Sequence, residues 1–220
     1  MEAITQLVHD ATGALARIAR GTLQESCVRF SLRIPMSEMM IVGATESCAP
    51  ADGVTLLTFD HAEARAEWAP HRAIYRLRPD AGAVITARLP WTSRLARLPS
   101  QMPAVFDEQV RHLGSRVERL SLNSEEFDTA SLSALRRGGN AFLLGEEAVC
   151  LGFCKDRVIF NAELLEKCAQ AYVLASLCEM PIRPVPSYVR LIAGQRLRAD
   201  QKRAAEALRN GEVMSTSSPY

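Results

Sequence analysis

Apolar residues recur at helical spacing at the start of the chain. Ile4, Leu7, Val8, Ala11, Leu15 and Ile18 fall on one stripe, and Gly21 stands where a helix would end. The spacing predicts a helix over 2–20. The period then changes to two: from Cys27 to Pro35, Val28, Phe30, Leu32 and Ile34 alternate with Arg29, Ser31 and Arg33. That alternation predicts a strand with one apolar and one polar face. Further short strands are expected at 39–42 and 54–59, with a loop containing Pro50 and Asp52 between them. Pro70 is acceptable only in the first turn of a helix, so a helix is expected from about Ala69 to just before Pro79, with Ala73, Ile74 and Leu77 inward.

The alternation of elements continues. A strand over 81–89 precedes a helix whose first turn holds Pro90 and Trp91. A helix over 104–113 stops at Gly114, a short strand follows at 117–120, and a helix over 129–137 closes on Gly138 and Gly139. The runs 141–144, 148–153 and 157–160 predict an antiparallel meander. Asn161 is then placed to cap a long helix to about Met180, with Phe160 and Leu165 as its staple. Leu164, Leu165, Cys168, Tyr172 and Ala175 form that helix's apolar stripe. Pro181, Pro184 and Pro186 separate it from a last helix over 188–208, whose Arg190, Arg196, Arg198, Arg203 and Arg209 read as a solvated face. The polar tail 211–220 is expected to be disordered. Helices interleaved with short strands predict one layered α/β domain over 1–210 with a mixed sheet.

Composition narrows the function classes. The 220 residues are 48% apolar, enough for a sizeable core, and carry a net charge of +1. Neither nucleic acid nor an anionic membrane would be attracted by such a balance. No apolar run approaches the ~20 residues of a membrane span. The start of the chain, with Glu2 and Asp10, lacks the pattern of a signal peptide. Six cysteines (Cys27, Cys48, Cys150, Cys154, Cys168 and Cys178) are scattered without a C-x-x-C pair. All six are expected to be reduced and the protein cytoplasmic. Lys155, Lys167 and Lys202 are the only lysines, leaving few candidates for a Schiff base.

Three places offer chemistry. Thr86 and Arg88 share a face at the C-terminal end of a strand, where α/β sheets place ligands. Glu67 and His71 flank the Pro70 helix start, where the helix dipole favours a carboxylate and the histidine is a second acid–base group. Gly145, Glu146 and Glu147 form a turn, usually a solvated feature. None of His9, His61, His71 and His112 pairs with another at ligand spacing, and no phosphate-loop or nucleophile motif is present. Spacing alone supports no enzyme class.

The run Glu67–Ile85 (EWAPHRAIYRLRPDAGAVI) resembles a signature block of the class II aldolase/adducin family. That family includes fuculose-phosphate aldolase, ribulose-phosphate epimerase, decarboxylases and dehydratases. Other segments match in the same order: Phe30–Arg33 is similar to the family's phosphate-loop strand, and Met102–Asp107 to the segment bearing an aldolase tyrosine. Asn140–Gly152 resembles the hairpin carrying the last metal histidine, and Asn161–Cys178 the helix after it. The resemblance covers about residues 4–180 and implies an αβα domain with a mixed, largely antiparallel sheet. It also implies a homo-oligomer, usually a cyclic tetramer with sites between subunits.

The family's chemistry does not carry over residue by residue. Thr86-Ala87-Arg88 stands where relatives have His-x-His, and Glu147-Ala148 where they have His-Gly. All three histidine ligands of the family's zinc or other divalent metal are thus replaced. Asp107 takes the tyrosine position, Val28-Arg29 the phosphate-loop Gly-Asn/His, and Val42–Thr45 the Thr-Pro-Ser-Gly segment. Only Glu67, matching the family's acid/base, is kept. The expectation is a site without metal or other cofactor, with Arg88 as its cation between Glu67 and Glu147. Ser31, Arg33, Thr86, Asp107 and Glu147 would bind a small carboxylate or phosphate. Two readings follow: a non-catalytic or small-molecule-binding family member, or a carbon–carbon lyase with Glu67 as base and Arg88 stabilising the oxyanion.

Overall fold

The computed structural model describes the chain apart from residues 1, 22, 24–25, 46–52, 61–65, 124–125, 179–180 and 215–220, and the side chains of residues 2 and 3. Among the described residues, seven strands form one sheet. They are β1 (Val28–Arg33), β2 (Met39–Ala44), β3 (Thr55–Thr58), β4 (Ala83–Ala87), β5 (Glu118–Leu120), β8 (Ala141–Leu144) and β9 (Glu147–Gly152). The order is β3-β2-β1-β4-β9-β8-β5. Every pair is antiparallel except β5 with β8, so the sheet is mixed and largely antiparallel. A separate ribbon of β6 (Leu122–Asn123) and β7 (Glu126–Phe127), which the sequence did not suggest, lies beside it.

Both faces of the sheet are covered, making three layers. Val28, Phe30 and Leu32 of β1, Ile85 of β4 and Cys150 of β9 face one core. It is closed by α1 (Glu2–Ile18), α3 (Pro90–Arg97) and α6 (Lys155–Leu177). Met40, Val42, Val84, Val149 and Leu151 face the other core, closed by α2 (Ala69–Leu77) and α5 (Thr129–Arg136). The α4 helix (Asp107–His112) and α7 (Ser187–Arg209) pack together at the periphery through Val110 and Ala193. The polar face of β1 is therefore not a wet face: α2 covers it, and Ser31 is fully buried. On α2 itself Ile74 is buried as expected, while Ala73 and Leu77 are only partly covered and His71, Arg72 and Tyr75 lie deeper.

Four sequence expectations fail here. Residues 157–160 are not a third meander strand but part of α6, which starts at Lys155 after the extended Cys154. Gly152 permits that tight return: a Cβ there would lie 2.4 Å from the Val158 nitrogen, so only glycine lets strand and helix approach so closely. Asn161 is no cap; it is buried inside α6 and its Nδ2 donates to the Leu151 carbonyl at 2.7 Å. The Phe160–Leu165 staple falls with it, Phe160 lying instead under the Arg157 guanidinium at 5.4 Å. Cys27, just ahead of β1, is disulfide-bonded rather than reduced, whereas Cys150, Cys154, Cys168 and Cys178 are free. Cys48 and His61 lie outside the described residues, as do most of the loop at 48–53 and residues 215–220 of the tail. No described helix is long and apolar enough to cross a membrane.

Candidate functional site

Strand register places the polar groups of this fold. Antiparallel pairing sets Arg29 opposite Thr86 and Ser31 opposite Val84, while Thr86 lies opposite Val149 of β9. Side chains alternate along each strand, so Arg29, Ser31, Thr86 and Glu147 all point to the face that α2 covers. Cross-strand neighbours on one face lie within reach of each other, and here they join into one network. Arg29 Nε donates to Thr86 Oγ1 at 3.1 Å, and its Nη2 donates to Glu147 Oε2 at 2.5 Å. A guanidinium on β1 thus links β4 to the first residue of β9.

From α2, His71 and Tyr75 extend this network inward. His71 Nε2 is 3.1 Å from Thr86 Oγ1, and its Nδ1 is 2.7 Å from Ser31 Oγ. Ser31 Oγ in turn lies 2.8 Å from the Tyr75 hydroxyl. In either tautomer one ring nitrogen of His71 donates and the other accepts, so both are engaged. Trp68 packs edge-on against the ring at 5.1 Å. Burial, helped by the nearby positive charge of Arg29, lowers the His71 pKa to about 3, so the ring is neutral. Burial likewise pushes the Tyr75 phenol well above its ordinary value, and it stays protonated. His71 is therefore a fixed dipole beneath the site and not the accessible acid–base group expected beside Glu67.

The structure separates the other expected residues. Arg88 does not point between Glu67 and Glu147. The register that pairs Ala87 with Ala148 would set it across from Glu147, but β4 ends at Ala87 and the side chain turns outward to Glu146. Arg97 of α3 also donates to Glu146 at 2.9 Å. The two arginines hold the Glu146 carboxyl down at about 2. Arg33 is committed to structure: it donates to the Tyr75 carbonyl and lies 4.9 Å from the Tyr75 ring and 5.4 Å from that of Phe59. Desolvation lowers its guanidinium pKa. Asp107 is exposed and accepts from the Glu108 backbone at the start of α4, away from the Arg29 network. Glu67 is exposed in the 3-10 turn Ala66–Trp68 ahead of α2.

The residue that sequence reasoning undervalued is Arg29. Its signal was present, a basic side chain on the polar face of β1 with Ser31 and Arg33, but a single strand does not reveal its neighbour across the sheet. The three positions that the resemblance gives to histidine ligands hold a hydroxyl already bonded to Arg29, an arginine turned outward, and a carboxylate paired with a guanidinium. Both nitrogens of the nearest imidazole are occupied. Divalent metals need several free N, O or S donors, and among the described residues no group of three or more histidine, cysteine or carboxylate side chains could hold one. These residues do not fit the metal.

Comparison with known proteins agrees with the fold. The Class II Aldolase and Adducin N-terminal domain family matches residues 26–173. Among solved structures, L-fuculose 1-phosphate aldolase is 15% identical with a TM-score of 0.71, the match covering 88% of this chain and 96% of that one. YgbL from Escherichia coli is 21% identical with a TM-score of 0.67, covering 86% and 98%. L-fuculose-1-phosphate aldolase from Thermus thermophilus is 20% identical with a TM-score of 0.61, covering 80% and 96%. No curated protein sequence matches the chain. With a family match across most of its length and the three-layer fold of these structures, the chain belongs to the class II aldolase and adducin N-terminal domain family.

Proposed function

We propose that this chain is a metal-independent member of its family that binds a small carboxylate or phosphate compound through Arg29, without the family's lyase chemistry. The observation that carries this reading is the Arg29 guanidinium. It is bonded to both Thr86 and Glu147, at two of the positions that the resemblance gives to metal ligands. A guanidinium is a permanent planar cation with five donors, of which two are used here. Both Arg29 and Glu147 keep partial solvent access, with side chains 20% and 30% exposed. Beneath them His71 and Tyr75 are neutral, so Glu147 is the counter-charge directly bonded to the arginine. The protein would work as a homo-oligomer, as the resemblance implies.

The test is calorimetry on EDTA-treated protein with a panel of small carboxylates and phosphates, against the Arg29→Ala variant. Binding that needs no metal and is lost in the variant is the expected result. Binding or carbon–carbon cleavage that appears only with added divalent metal would overturn the reading. Metal-free turnover abolished by Glu67→Gln would replace it with a lyase.

A further inference from the structure

A concavity of about 490 Å³ opens between α7 and the segment that runs from the end of α4 through β5 to the end of α5. It shares no residue with the Arg29 network. Its lining includes Arg116, Arg136, Arg137, Arg190 and Arg198, against Glu118 as the one carboxylate. The whole chain carries a net charge of only +1, so overall basicity does not explain this concentration.

Helix compensation explains part of it. Arg136 and Arg137 stand at the C-terminal end of α5, where cations offset the helix dipole. Arg137 is further satisfied by Glu118, at 2.6 and 3.2 Å, and by Ser133 at 2.8 Å. Arg116, Arg190 and Arg198 have no such account, and among the described residues no carboxylate pairs with them or with Arg136. Arg190 is in the first turn of α7, where the dipole disfavours a cation and no acidic residue compensates it. Arg198, two turns further on, lines the same cleft, with Gly194 and Leu197 between them. A Cβ added at Gly194 would meet nothing within 4 Å, so the space beside it is open.

We propose that this cleft binds a small molecule carrying two or more phosphates. Guanidinium groups grip phosphate oxygens in bidentate pairs, and a concave surface of one charge sign concentrates anions. The volume lies within the range of small-molecule sites, with Leu197 and Val110 available to an uncharged remainder.

Calorimetry of the full chain with inorganic tripolyphosphate and with monophosphate, at constant salt, tests this. Tripolyphosphate binds at least about tenfold more tightly than monophosphate, and the double variant Arg190→Ala/Arg198→Ala weakens it by at least about tenfold. Gly194→Met, which fills the cleft without changing its charge and favours helix, weakens it too while the unfolding midpoint holds or rises. The titrations are repeated in the Arg29→Ala background, which removes phosphate held at the Arg29 site; the tripolyphosphate binding that depends on Arg190 and Arg198 persists there, so failure here and failure of the Arg29 reading are separable. Equal weak binding of both anions, or binding indifferent to the cleft variants, overturns the proposal. An assembly that dissociates in the arginine double variant, with no tripolyphosphate bound in either form, assigns the cleft to a second copy of the chain and overturns it as well.

Discussion

Arg29 and Thr86 are register partners across β1 and β4, and the Arg29 Nε–H donates to the Thr86 hydroxyl at 3.1 Å. With Nη2 on Glu147, one arginine ties together three strands of the sheet. The pair is partly solvated, which limits its worth. Arg29→Ala is expected to destabilise the chain by about 1–2 kcal/mol. A double-mutant cycle with Glu147→Gln, read by urea unfolding, should give a coupling of about 1 kcal/mol. Zero coupling would mean that the contact is incidental.

Stability should depend on pH through two histidines that fold neutral. His71 is lowered to about 3 by burial and Arg29, and His112 to about 4 by burial and then Arg157 and Arg111. Each folded pKa lies below the unfolded value of about 6.5, so the unfolded chain takes up the proton first as pH falls. The stability is fully present above about pH 6.5 and is lost on acidification. His71 should contribute a slope of about 1.4 kcal/mol per pH unit below that point, and the less buried His112 a smaller one. His71→Gln should flatten the decline between pH 6 and 5; an unchanged slope contradicts the buried neutral ring.

Two glycines are expected to respond in opposite directions. Gly152→Ala forces a methyl into the Val158 backbone and should cost about 2–4 kcal/mol. Gly13, in α1 with open space at its Cβ, should gain about 0.5–1 kcal/mol on replacement by alanine. Thermal unfolding of the two variants checks the pair.

Glu166 of α6 accepts from the backbone nitrogens of Trp91 and Thr92, at 2.6 and 2.9 Å, and from the Thr92 hydroxyl at 2.8 Å. It caps α3 from another helix, supplying the acceptor and negative charge that this end lacks locally. Glu166→Gln should lower stability by about 1–2 kcal/mol. A neutral result in urea unfolding would show that solvent caps the helix equally well.

Much of this architecture was legible in the sequence because periodicity reports which face is buried. The alternation in 28–34 and the proline at position 70 placed β1 and α2 within a residue or two. The start of α6 was not legible. Val158, Ile159 and Phe160 form a short β-branched and aromatic run like a strand's, and Asn161 looks like a cap to any local rule. What decides both is contact with β9: the close approach at Gly152 and the bond from Asn161 to Leu151. The place of Arg88 was not legible for a related reason. Alternation put Arg88 on the same face as Thr86, but β4 ends one residue before it, and Glu146 with Arg97 gave its side chain an outward partner. Arg29 gained its position from a strand partner 57 residues away, which no pattern within β1 encodes.

The most direct test of a metal-free Arg29 site is elemental analysis of protein purified from medium supplemented with zinc, manganese and iron, beside thermal unfolding in each ion. The expected result is no stoichiometric metal and no rise in unfolding midpoint with any of them. Stoichiometric metal that stabilises the chain and is lost in Glu147→Gln would show that the site coordinates a cation after all, and would contradict it.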